Sequence, residues 1–115
     1  MILYGISNCD TVRKARKFLD ANQVDFTFHD FRKDGFSLET FNQWLQFESL
    51  DTLINKRSTS WKQLSDLQKQ GLIDGSDLSP ILETPTLIKR PVLVSNTKLL
   101  VGFKTPEYQN LIDAI

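Results

Sequence analysis

The feature that most constrains this chain is a double change of hydrophobic period between residues 2 and 28. Ile2-Leu3-Tyr4-Gly5-Ile6 is a short apolar run of strand character. From Asp10 to about Asn22 the period lengthens. Val12, Ala15, Phe18 and Leu19 fall on one helical face, while Arg13, Lys14, Arg16 and Lys17 fall largely on the other. Val24 to Phe28 then alternates in the strand manner, with Val24, Phe26 and Phe28 set against Asp25 and Thr27. Strand, helix and strand joined this closely form a right-handed crossover unit with two parallel strands.

Gly35 closes that unit. Ser37 is placed to N-cap a helix carrying Leu38, Phe41, Trp44 and Leu45 at core spacing. Ser58, Thr59 or Ser60 starts the next, with Trp61, Leu64 and Leu67 on one side, and a third short helix runs from Ser76 or Asp77 to about Leu82. Then the period shortens again. Pro91-Val92-Leu93-Val94 reads as a strand, Asn96-Thr97 as a tight turn and Leu99-Leu100-Val101 as the hairpin partner. Thr105-Pro106 is an N-cap followed by proline at the first helical position, and Tyr108, Leu111, Ile112 and Ile115 supply the buried face of a last helix. The order βαβ, helices, ββα predicts an α/β fold with a four-stranded mixed sheet. This is the thioredoxin-like layout, one domain over residues 1–115 with a helical insertion at about 37–84.

The lone cysteine, Cys9, falls where the first strand hands over to the first helix. There the sulfur lies among free backbone N–H groups at the positive end of the helix dipole, a setting that favours thiolate over thiol. Arg13, one turn on, adds positive charge if its side chain folds back, whereas the adjacent carboxylate of Asp10 opposes the thiolate. One cysteine allows no internal disulfide. By residue type alone three readings stay open: a buried small hydrophobe, a reactive thiol, or an intermolecular crosslink.

Composition narrows the partners. The 14 basic and 14 acidic residues cancel and are interspersed, so no field draws the 115-residue chain to nucleic acid or an anionic membrane. No apolar run approaches spanning length, no signal peptide is evident, and a single cysteine fits a reducing compartment, most simply the cytoplasm. His29 stands alone beside Asp30, so no metal site is expected, and Trp44 and Trp61 are assigned to packing.

Three segments carry a resemblance. Tyr4-Gly5-Ile6-Ser7-Asn8-Cys9-Asp10-Thr11, Phe28-His29-Asp30-Phe31-Arg32-Lys33-Asp34-Gly35, and Lys89-Arg90-Pro91 before Val-Leu-Val together resemble the arsenate reductase-related family, in its small YffB-like branch. The likeness runs over essentially the whole chain. It implies a thioredoxin-like fold, Cys9 as nucleophile, and glutathione as reductant with no permanently bound cofactor. It also implies that Arg57 and Arg90 contact an oxyanion or carboxylate and that Pro91 is the cis proline of the fold. Phe103, with Lys104 beside it, stands where the arsenate reductases place a further arginine, so little or no arsenate turnover is expected. The Spx-type regulators share the fold but usually carry Cys-x-x-Cys, where this chain has Cys9-Asp10-Thr11-Val12.

The expected activity is glutathione-dependent thiol oxidoreduction through Cys9. Asn8, Arg13, Arg57, Arg90 and Pro91 form the substrate or anion site, and glutathione, another small thiol or an oxyanion, with glutaredoxin as a further partner, is the other reactant. The alternatives are a non-catalytic Spx-like regulator binding RNA polymerase and a true arsenate reductase.

Overall fold

The computed structural model describes residues 1–115 and divides into two compact units, Met1–Asp34 with Arg90–Ile115, and Gly35–Lys89. The first unit holds β1 (Ile2–Gly5), α1 (Asp10–Ala21), β2 (Thr27–Asp30), β3 (Val92–Val94), β4 (Leu99–Val101) and α7 (Thr105–Asp113). The second holds α2 (Leu38–Trp44), α3 (Leu50–Leu53), α4 (Thr59–Lys62), α5 (Asp66–Asp74), α6 (Pro80–Glu83) and a 3-10 turn at Pro85–Leu87.

The four strands form a mixed sheet in the order β2-β1-β3-β4, the thioredoxin-like arrangement. β1 runs parallel to β2, with Leu3 opposite Phe28, and antiparallel to β3, with Leu3 opposite Leu93. β3 pairs antiparallel with β4. On one face, Leu3 and Leu93 pack with Ala15 and Leu19 of α1 and with Tyr108 and Leu111 of α7, all nearly or fully buried. On the other, the Tyr4 ring lies 4.9 Å from that of His29.

Two close approaches shape the first unit. A Cβ on Gly5 would stand 2.7 Å from Cγ2 of Val12, so the absent side chain is what lets the end of β1 touch α1. The Arg90–Pro91 peptide is cis, as the resemblance implies, and the Pro91 carbonyl accepts the Gly102 N–H at 2.8 Å.

Besides the short α3 and the 3-10 turn, which the sequence expectations do not include, the elements differ from those expectations in four places. The β2 ladder begins at Thr27 rather than Val24, because Gln23 turns through a left-handed conformation (φ 57°) and the parallel register first matches Thr27 to Ile2. The helix expected from Ser58 through Leu67 is two: α4 ends near Gln63, and Ser65 opens α5 with a reciprocal capping box to Gln68. Leu67 is accordingly 85% exposed instead of sharing a face with Trp61. The third short helix starts at Pro80, after an Asp77 carboxylate turn that accepts the Ser79 N–H at 3.0 Å. In α7 the N-cap is Lys104 rather than Thr105, and Ile115 lies past the helix and is 80% exposed. The Ser37 cap of α2 is as read, its hydroxyl accepting the Thr40 N–H at 3.2 Å.

No helix is long and apolar enough to cross a membrane.

Candidate functional site

The site is built where β1 ends. The Phe31 N–H donates to the Gly5 carbonyl at 2.9 Å, the last rung between β1 and β2. The chain then turns: the Cys9 N–H donates to the Ile6 carbonyl at 3.2 Å, and the Cys9 carbonyl accepts the Arg13 N–H at 2.9 Å as the first bond of α1. Cys9 is thus the N-cap residue, in extended conformation (φ −98°, ψ 126°), half-buried and free of any disulfide. Its side chain makes no capping bond, so the sulfur is uncommitted at the helix N-terminus. Asn8 beside it is exposed.

The antiparallel pairing of β3 with β1 brings Arg90 and Pro91 to this same end of the sheet, since Tyr4 faces Val92 and the chain enters β3 just before that pair. Pro91 is buried. The Nε and Nη1 atoms of Arg90 are buried and have no hydrogen-bond partner in the protein. A buried guanidinium nitrogen without an acceptor is unfavourable by itself and marks a group suited to an incoming anion.

The other expected residues are placed differently. Arg13 is committed to Asp10, its guanidinium donating to that carboxylate on the exposed side of α1. The two charges offset each other there, and Arg13 does not fold back as a free cation. Arg57 belongs to the Gly35–Lys89 unit and lines a cleft of about 420 Å³ with Asp51, Ile54, Asn55, Lys56 and Lys89. The walls of that cleft are pinned, because Ile54 and Ile88 form an antiparallel bridge and the Asn55 N–H donates to the Leu87 carbonyl at 2.7 Å. Lys56 donates to Asp51 at 2.6 Å, and this bond and charge, with the charge of Lys89, hold the Asp51 carboxyl below the ordinary carboxylate range. The guanidinium of Arg57 and the ammonium of Lys89 carry no ion pair there. A larger cavity of about 620 Å³, lined among others by Met1, Val24, Asn96, Leu111 and Ile115, contains none of the expected residues.

One residue of the site was not singled out from sequence. Asp30, only 3% exposed, accepts the Ser7 N–H at 3.2 Å on Oδ2 and the Arg32 and Lys33 N–H groups at 2.8 and 3.3 Å on Oδ1. Burial pushes its carboxyl up. The donors from Arg32, Lys33 and Ser7, the last with its hydroxyl as well, outweigh that and hold it below the ordinary value. The available signal was a carboxylate inside the aromatic run Phe28-His29-Asp30-Phe31, where a charge must be paired to be buried.

Comparison with known proteins places these features in context. The sequence model of the ArsC family matches residues 4–111. A solved structure of a YffB protein superposes with a TM-score of 0.89 at 36% identity, covering 96% of this chain and 97% of that one. The solution structure of an arsenate reductase (ArsC) related protein from Brucella melitensis gives 0.73 at 37% identity over 95% and 91% of the two chains. The global transcriptional regulator Spx of Lactiplantibacillus plantarum is 30% identical over 97% of this chain and 86% of its own.

Proposed function

The chain belongs to the ArsC family, and from that premise we propose that it is a glutathione-dependent thiol oxidoreductase of a reducing compartment such as the cytoplasm, with Cys9 as its nucleophile. The observation that carries the reading is the uncommitted Cys9 sulfur at the N-cap of α1, at the sheet end where Arg90 presents unpartnered guanidinium nitrogens.

The Cys9 thiolate attacks one sulfur of a glutathione-containing disulfide. A new Cys9–glutathione S–S bond forms, the old S–S bond breaks, and the departing thiolate takes the bonding pair and then a proton from water. With no second cysteine in the chain, a second glutathione thiolate resolves the adduct. It attacks the glutathionyl sulfur, releases oxidised glutathione and restores the Cys9 thiolate. Each cycle turns one glutathione-containing disulfide and one free glutathione into a free thiol and oxidised glutathione, so a single glutathione thiol is oxidised for each disulfide reduced. Arg90 holds a carboxylate of the glutathionyl group, and the backbone N–H groups after Cys9 and the Asn8 amide complete the cradle.

Intact-mass measurement after exposure to oxidised glutathione tests this. One glutathionyl adduct is expected, absent in Cys9→Ser and formed more slowly in Arg90→Gln. A wild-type chain that takes up no adduct overturns the reading.

The likeness to Spx favours a second reading, a non-catalytic regulator that binds RNA polymerase. Binding of purified polymerase that persists in Cys9→Ser, together with an unreactive wild-type thiol, would replace the first reading by the second. True arsenate reduction is the narrow form of the first. Phe103 in place of a further arginine leaves the oxyanion one cation short, and negligible turnover with arsenate, glutathione and glutaredoxin is expected.

A further inference from the structure

We propose that Asp30 is the positioning residue of the Cys9 thiol: by accepting the Ser7 N–H, its carboxylate ends β1 and sets the turn from which Cys9 projects. The inference rests on the reading of Cys9 as nucleophile, and the geometry behind it is independent of the substrate.

In a parallel ladder, the residue whose N–H donates to one strand also offers its carbonyl to the next N–H of that strand. The Phe31 N–H already donates to the Gly5 carbonyl. One further rung, from the Ser7 N–H to the Phe31 carbonyl, would carry β1 on through Ile6. The Ser7 N–H goes to Asp30 Oδ2 instead, at 3.2 Å, and β1 stops at Gly5. The side chain thus replaces a rung of the sheet and frees Ile6–Cys9 to turn. Its other oxygen takes the Arg32 and Lys33 N–H groups, while the Asp34 carboxylate accepts the N–H of Asp30 itself at 2.9 Å. The carboxylate is therefore held from both sides, and it ties the loop after β2 to the loop that delivers the sulfur.

The residue type follows from this geometry. Donors reach both oxygens, so an amide, with one oxygen and one NH2, would set donor against donor on one side. Asp30 is no acid or base in the reaction, being buried and saturated with donors. Its charge, taken alone, disfavours a neighbouring thiolate. Field and positioning consequently predict opposite signs when the charge is removed, and this makes the inference testable.

The test uses Asp30→Ala and Asp30→Asn in the full chain, with Leu111→Val as a core-destabilised control remote from the turn. Two quantities are read: hydrogen-exchange protection of the Ser7 amide by NMR, and the rate of Cys9 alkylation by iodoacetamide by intact mass. Asp30→Ala is expected to lose Ser7 protection and to slow alkylation about fivefold or more, with Asp30→Asn intermediate, since a sulfur turned out of the helix N-terminus loses its N–H environment. Leu111→Val should stay within about twofold of wild type, because a structural deficit alone does not move the rate. Alkylation that is unchanged or faster in a folded Asp30→Ala overturns the proposal. If that variant does not fold, the same result in Asp30→Asn does so. Lost protection and slowed alkylation alongside a wild type that forms no adduct with oxidised glutathione would support the positioning role and refute the thiol-transfer reading.

Discussion

Gly5→Ala puts the packing between β1 and α1 under a quantitative test. Gly5 has an ordinary backbone conformation, so alanine meets no φ barrier, and the restricted unfolded chain would by itself stabilise the protein by about 0.4–1 kcal/mol. Against this, the added methyl would lie 2.7 Å from Cγ2 and 3.1 Å from Cγ1 of Val12. Val12 is fully buried, and a β-branched side chain in a helix has one strongly preferred rotamer, so the clash is not relieved by rotation. Overpacking of this kind costs about 1–3 kcal/mol. The net expectation is a loss of about 1–2 kcal/mol, a fall in Tm of roughly 4–8 °C for a domain of this size. Urea denaturation of Gly5→Ala, Val12→Ala and the double variant reads both the loss and its origin. The double variant should be more stable than additivity predicts by about 1 kcal/mol or more, because the small side chain at 12 leaves room for the methyl at 5. A Gly5→Ala chain as stable as wild type, or a strictly additive double variant, refutes the close-approach argument.

Two further outcomes follow from buried polar groups. Tyr108 is fully buried and its hydroxyl has no protein partner, so Tyr108→Phe should be neutral or stabilising by up to about 1–2 kcal/mol in urea denaturation. Burial, aided by the charge of Glu107, holds the Tyr108 hydroxyl protonated well past the ordinary phenol value of about 10. The raised value means that its contribution is complete below that pH and is lost above it. Tyr108→Phe should therefore flatten the alkaline loss of stability, and a profile identical to wild type would contradict the assignment. Asp30 acts at the other end: its lowered carboxyl contributes stability above the unfolded value of about 3.9 and loses it as pH falls through the lower folded value. Asp30→Ala should be less stable than wild type at neutral pH and converge towards it in acid, as followed by denaturant titration at several pH values.

Much of the architecture was legible because period and punctuation agree. The Ile2–Ile6 run, the Asp10 helix, the Asn96-Thr97 turn and the Ser37 cap each combine an apolar period with a terminating residue, and all appear in the structure close to where the pattern sets them. The misplacements have physical causes. Ser65 and Gln68 form a capping box that splits the expected helix after Trp61, yet Leu64 and Leu67 kept the apolar spacing intact in the sequence. The start of β2 depends on its register against β1, and alternation in Val24–Phe28 cannot report where a ladder begins. At the site, Cys9 and its place at the helix start follow from the strand-to-helix switch, whereas Arg90 and Pro91 were reached through the family resemblance of the Lys89-Arg90-Pro91 segment. Asp30 was signalled locally only as a carboxylate within an aromatic run, and its bond to the Ser7 N–H, 23 residues earlier, is set by the pairing of β1 with β2 and not by any local pattern.

The chain carries two buried polar groups without protein partners, and they do not have the same meaning. The Tyr108 hydroxyl is neutral, and its ring packs edge-on against those of Phe18 and Phe103, with centroid separations of 6.2 and 4.8 Å. One unbonded neutral hydroxyl is a modest penalty that the packing of its ring offsets. Arg90 is a half-buried cation with Nε and Nη1 shielded from solvent and unpartnered, and shielding part of a charged group without an acceptor is penalised more heavily than leaving a hydroxyl unbonded. It lies next to Pro91, at the sheet end where the Cys9 turn begins. Arg13 makes the contrast sharper, because that cation lies closer to Cys9 in sequence and is already neutralised by Asp10. In the proposed thiol transfer the anion contact accordingly falls on Arg90, whose Nε and Nη1 have no partner in the protein, and not on Arg13.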